Sequence, residues 1–250
     1  MYKSANRVQS LFVVVLILGA CNLACQNAQA TTITWDAPVA ITTADATLTQ
    51  PGTVVSAATW GPTATTVTLT GGQSINFAVG SIDGSSPVAN VTASSSGNTG
   101  AFLGDTGNAD FNNVLGGFAG DGDTPLSISL HNLNAGHDYT VQLFALDNRN
   151  PVVGVRQIGF SDMSDQSGNN SAAVAMSENK YVMGAFTATG TSATVFEQFL
   201  TYQDLGFAQG YFGNLNALVV RDVTVPEPGA IVLLGTGVFG LLAYAWRKRK

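Results

Sequence analysis

The chain has 250 residues, 45% of them hydrophobic and 10% charged, against about 25% charged in an average soluble protein. A formal charge of −6 leaves no cationic surface of the kind phosphate binding needs, which excludes a nucleic-acid binder, and the scarcity of Glu and Lys excludes a coiled coil. The average conceals a partition: between Thr31 and Val225 only Arg149, Arg156, Lys180 and Arg221 stand against fifteen acids, a net charge of −11. Such an acidic, glycine-rich surface suits a secreted domain and attracts divalent cations.

Lys3 and Arg7 precede an apolar run from Leu11 to Ala20, and Ala28-Gln29-Ala30 supplies the small-x-small pattern that a signal peptidase admits. The run is too short to span about 30 Å of hydrocarbon, so residues 1–30 read as a signal peptide cut after Ala30. Leu18-Gly19-Ala20-Cys21 resembles a bacterial lipobox and offers an alternative, lipidation at Cys21. Cleavage after Ala30 removes Cys21 and Cys25, the only cysteines, so the mature domain carries no disulfide and no thiol nucleophile.

Residues 31–224 alternate short apolar–polar runs with turn clusters. Period-two patterning marks half-buried strands at 75–79 and 126–130, and 65–69, 88–92, 152–160, 181–186, 191–196 and 215–223 are further strand candidates. Residues 139–146 turn apolar on both faces and read as a central strand, while only 110–118 reads as a helical turn or two. Gly71-Gly72, Asp83-Gly84, Asn98-Thr99-Gly100, Gly120-Asp121-Gly122-Asp123, Asn134-Ala135-Gly136 and Gly168-Asn169-Asn170 supply the turns. Eight or nine short strands without a long amphipathic helix predict an all-β fold, a single β-sandwich of jelly-roll type.

The most suggestive polar group is Asp147, Arg149 and Arg156, bracketing a loop that follows the most apolar strand and so falls at a sandwich end. Arginine presents a fork of donors and aspartate accepts paired hydrogen bonds, the chemistry that sugar hydroxyls require. The alternative is an ion pair of Asp147 with either arginine that ties the loop down. Trp35 and Trp60 offer faces for sugar stacking, although a tryptophan in a sandwich more often serves core or rim packing. Asp121 and Asp123, with Asp105 and Asp110, offer oxygen ligands for Ca²⁺ but match neither the EF-hand loop nor the glycine-rich calcium-binding nonapeptide, and Asx-turns explain them as well. No other cofactor is implied. Glu178 and Glu197 are the only glutamates between residues 31 and 224, and His131 and His137 belong to no catalytic pattern. The expectation is a non-catalytic protein, with a secreted carbohydrate-active hydrolase and a self-associating matrix component as alternatives.

The C-terminus is the more informative end. Val225-Pro226-Glu227-Pro228-Gly229 leads into residues 230–246, seventeen without a charge, and Arg247-Lys248-Arg249-Lys250 close the chain. Seventeen helical residues reach about 25 Å, the low end for a transmembrane helix, and four cations hold the tail in the cytoplasm with the domain outside. Pro226 and Pro228 keep the junction extended. Proline-Glu-proline, an apolar helix and a basic tail, in that order, resemble the PEP-CTERM sorting signal of Gram-negative bacteria over residues 225–250. The resemblance implies export, recognition near Pro226-Glu227-Pro228-Gly229 by an exosortase in the inner membrane, and a link to extracellular polysaccharide and biofilm. The segments around Ile33-Thr34-Trp35, 126–156 and Asn216 to Arg221 are similar to a bacterial ectodomain found ahead of such signals, which implies a galactose-binding-like jelly roll.

Overall fold

Alternation carries directly into strand burial. In β9 (Leu126–His131) the side chains of Leu126, Ile128 and Leu130 are buried while Ser127 and Ser129 on the other face are half-buried. In β10 (Asp138–Phe144) both faces are buried from Val141 onward, as the apolar run predicts. The computed structural model describes residues 31–82, 89–92, 95–98, 102, 104–121, 126–147, 156–165, 167–201, 213–225 and 246–247.

The largest sheet runs in the order β1 (Thr34–Trp35), β13 (Lys180–Thr187), β10, β16 (Ala217–Asp222), β3 (Thr53–Thr59), β5 (Ser74–Val79), β4 (Thr65–Thr68), with β2 (Val39–Ala40) also paired to β13. A second sheet has the order β12 (Val174–Ala175), β11 (Gln157–Ser161), β14 (Ser192–Thr201), β9, β6 (Ala89–Thr92). A small third sheet joins β15 (Gly213–Leu215), β8 (Phe118–Asp121) and β7 (Ser95–Asn98). All pairings are antiparallel except β3 with β5.

The two faces of the large sheet bury different partners. Tyr139, Val141, Leu143, Val182, Leu218 and Val220 meet Ile128, Ile158, Phe160 and Val195 of the second sheet in one apolar core, which makes the all-β sandwich. Phe144, Tyr181, Ala217 and Val219, on the opposite face, pack against α1 (Ala44–Leu48), α2 (Ala109–Gly116) and the β4–β5 hairpin. Phe111 of α2 anchors that second core, its ring 5.7 Å edge-on to Phe144 and 6.4 Å from Phe77. The Asn108 side chain caps α2 by accepting from Phe111 N–H at 3.0 Å.

Three expectations change in detail. The strand expected at 215–223 is broken at Asn216, between β15 and β16. The helix expected at 110–118 ends at Gly116, and Phe118 begins β8. Gly120 and Asp121, expected in a turn, are strand residues of β8, opposite Asn214 and Gly213. Strand 152–160 is described only from its second half, β11. Among the described residues no helix is long and apolar enough to cross a membrane; the expected signal peptide at 1–30 and the expected span, apart from an exposed Trp246, lie outside them.

Candidate functional site

β10 and β16 run antiparallel side by side, Tyr139 opposite Asp222 and Phe144 opposite Ala217, so they define two ends of the sandwich. Beyond Phe144 the backbones diverge and side chains continue the ladder. Asn216 Oδ1 accepts Leu146 N–H at 2.7 Å, and Asn214 Nδ2 donates to Leu146 O at 2.7 Å. Asn216 Nδ2 also donates to the carbonyls of Leu115 and Gly117, tying the end of α2 to the same point. Every one of these groups is buried, where an unmade hydrogen bond costs about 1–3 kcal/mol.

Glu197 belongs to this end. It stands on β14 opposite Phe160 and Leu126, is 1% exposed, and its Oε1 accepts Asn214 N–H at 2.8 Å. Oε2 is buried without a hydrogen-bond partner among the described residues. Burial pushes the carboxyl up to about 8, against the opposing pull of the Asn214 N–H, so at neutral pH it is a carboxylic acid rather than a carboxylate.

The structure brings Asp147 and Arg156 to the same place. Met176, in the 3-10 turn Met176–Glu178, accepts Asp147 N–H at 3.0 Å through its carbonyl and donates its own N–H to Arg156 O at 3.0 Å. Asp147 is only 2% exposed and Arg156 is half-buried, and both side chains belong to residues with interaction partners. Arg149 and Asp123 lie outside the described residues, as do Ala28, Ala30, Cys21, Pro226 to Gly229 and Lys248 to Lys250.

The two tryptophans separate. Trp60 is fully buried with Gly80 lying on its indole, so it is a core residue and its face is closed to a sugar; this corrects the platform expectation. Trp35 is half-buried on the edge strand β1, stacked on Phe160 at 6.0 Å with its Nε1 donating to Asn169 O. It pairs with Gly184, beside Val141 in mid-sheet, away from Asp147. Asp121 sits on β8, and among the described residues no group of three or more His, Cys, Asp or Glu is placed to hold a metal ion.

Sequence reading missed Glu197, Asn214 and Asn216 as a unit. One signal was present: Ala193, Val195 and Glu197 share a strand face, and Ala193 and Val195 are core residues, so period two alone puts Glu197 inside.

At the opposite end the chain leaves the domain. Asp222 Oδ2 lies 2.7 Å from His137 Nδ1, Asp222 Oδ1 accepts Thr224 N–H at 2.9 Å, and Thr224 Oγ1 accepts Asp138 N–H at 2.8 Å. Val225 is 76% exposed. From Thr224 onward, residues 224–250 match the family model of the PEP-CTERM protein-sorting motif.

The chain carries a PEP-CTERM sorting motif.

That motif marks an exported, surface-directed protein and a target of exosortase, a membrane enzyme. No curated protein and no solved structure matches the chain. The sorting motif therefore starts where the sandwich stops, at the end of the interior strand β16. Thr31 lies at this end too, its hydroxyl 3.5 Å from that of Thr189 beyond β13.

Proposed function

We propose that this is a non-catalytic β-sandwich displayed at the bacterial envelope by its PEP-CTERM motif, binding polysaccharide at the end opposite the motif. The observation that carries the reading is one of polarity along β10 and β16. Thr224 and Asp138 mark one end of the strand pair, and Asp147, Arg156, Glu197 and Asn214 mark the other. A chain held by its C-terminus points that second end outward. Of these residues Arg156 is half-buried, while Asp147, Glu197 and Asn214 are buried; the arginine is the group suited to sugar hydroxyls. The finer jelly-roll, galactose-binding-like kinship belongs to this proposal, supported by the two face-to-face sheets.

The test has two arms. Intact mass of the protein from its own cells locates both termini, and is expected to begin at Thr31 and to show the motif retained as an anchor or cut near Pro226. A glycan array with Arg156→Ala and Asp147→Ala as comparisons tests the ligand. Absence of retention at high micromolar concentration removes the polysaccharide half.

One observation favours a second reading, a carbohydrate-active hydrolase. A buried acid held neutral at pH 7, as Glu197 is, has the protonation state of a general acid, and Asp147 is a second carboxyl at the same end. Turnover of a glycoside panel that is abolished by Glu197→Gln would support it. Turnover indifferent to both carboxyls would dismiss it.

A further inference from the structure

We propose that Asp222, His137 and Asp138 form a clasp that fixes how far along the chain the processing enzyme can reach, with Thr224 the last residue withheld and Val225 the first one offered. The proposal rests on the reading that residues 224–250 direct processing at the membrane. Enzymes that take a peptide extended hold it largely by main-chain hydrogen bonds. Here the main chain is already engaged. Val223 N–H donates to Asp138 O at 2.9 Å, Thr224 N–H to Asp222 Oδ1 at 2.9 Å, and Asp138 N–H to Thr224 Oγ1 at 2.8 Å. Both acids are themselves braced: Thr187 Oγ1 donates to Asp138 Oδ1 at 2.6 Å, and His137 Nδ1 lies 2.7 Å from Asp222 Oδ2.

The brace has a purpose that the topology makes plain. β16 is an interior strand between β10 and β3, so peeling its C-terminal end would split the large sheet down its middle. Past the clasp the situation reverses at once. Val225 is 76% exposed, and Pro226 and Pro228 carry no N–H with which to extend a ladder. A motif that begins immediately after a clasped interior strand can be handled without unzipping the domain.

The full chain in detergent micelles is digested with a non-specific protease, and the C-terminus of the trimmed domain is read by intact mass. Hydrogen exchange of the Val223 and Thr224 amides is followed alongside. Trimming of the native protein is expected to leave Thr224 in place. Thr224→Val and His137→Ala each remove one arm, the second also losing the stacking of His137 on Tyr139, and should move the stop upstream with cutting about ten-fold faster, the loss of roughly one hydrogen bond. A native stop upstream of Thr224 overturns the proposal. So does a stop unmoved in both variants while their amide exchange quickens. The same masses on protein from exosortase-bearing cells separate the two readings: a tail intact to Lys250 defeats processing, while the protease limit still judges the clasp.

Discussion

Glu197 reaches from the second sheet to Asn214, accepting its backbone N–H at 2.8 Å and so completing the edge of β15 that β8 leaves unpaired. The bond needs only a carbonyl-type oxygen, which a neutral carboxyl supplies as well as a charged one.

That neutrality sets a pH dependence. The folded carboxyl holds its proton to about 8, whereas the unfolded chain loses it near the ordinary value of 4.5, so between these the fold binds the extra proton. Its contribution to stability is therefore full below about 4.5 and declines as pH rises to about 8. Glu197→Gln keeps the acceptor and cannot ionise. It should flatten the fall in urea midpoint between pH 5 and 8 and be more stable than the native chain at pH 9, by on the order of 2 kcal/mol. Parallel slopes for the two proteins would sink this account.

Gly117 and Gly71 make a matched pair for a packing test. A Cβ on Gly117 would lie 2.2 Å from the Cα of Gly61, backbone against backbone, while one on Gly71 meets nothing within 4 Å. Gly117 also lends its carbonyl to Asn216. Gly117→Ala should cost about 2–4 kcal/mol by chemical denaturation, and Gly71→Ala less than about 0.5 kcal/mol. Equal effects would mean that the contact of α2 with the β3 end is looser than it stands here.

What the sequence disclosed follows from how each element is buried. β9 alternates large apolar and polar residues, and β10 is apolar on both faces towards its end, so period or run length gives them away. β3 was illegible because its buried half, Ser56 to Thr59, is small and partly polar. It is interior through its neighbours, lying between β16 and β5, rather than through its own hydrophobicity. α1 has five residues, too few to show a helical period, although Thr43 caps it by accepting Ala46 N–H. Asp147 and Arg156 were placed together by loop logic, but the buried amide ladder of Asn214 and Asn216 depends on where two strands diverge, which no local pattern encodes.

Arg221 tests the other face of the large sheet. It is 1% exposed, donating to Gln142 Oε1 at 3.2 Å and to Leu48 O, at the end of α1, at 2.6 Å. Burial lowers it to about 10, with Tyr181 opposing the shift. Arg221→Met fills the space but strands Gln142 Oε1 and leaves Leu48 O only the Gln50 N–H, so a loss of about 2–3 kcal/mol is expected, with faster amide exchange at Thr47 and Thr49 in α1 and its cap. Arg221→Lys, a point donor in place of a fork, should recover only part of it. Native-like exchange in Arg221→Met would show that α1 is held by its apolar contacts alone.

Asp222 gives the last expectation, at the acid end of the pH range. The Thr224 side chain first, then His137 and the Thr224 N–H, hold its carboxyl down to about 2 from the ordinary 3.8. With the folded value depressed, the stability it contributes is present above 3.8 and is lost as pH falls through about 2. An NMR titration of the Asp222 side-chain carbon should show that low midpoint. His137→Ala should raise it part of the way towards 3.8, since Thr224 remains, and Thr224→Val should raise it further. A midpoint at the ordinary value in the native protein would mean that the interior strand β16 ends unbraced, and the junction between sandwich and sorting motif would then be open to unravelling from Asp222.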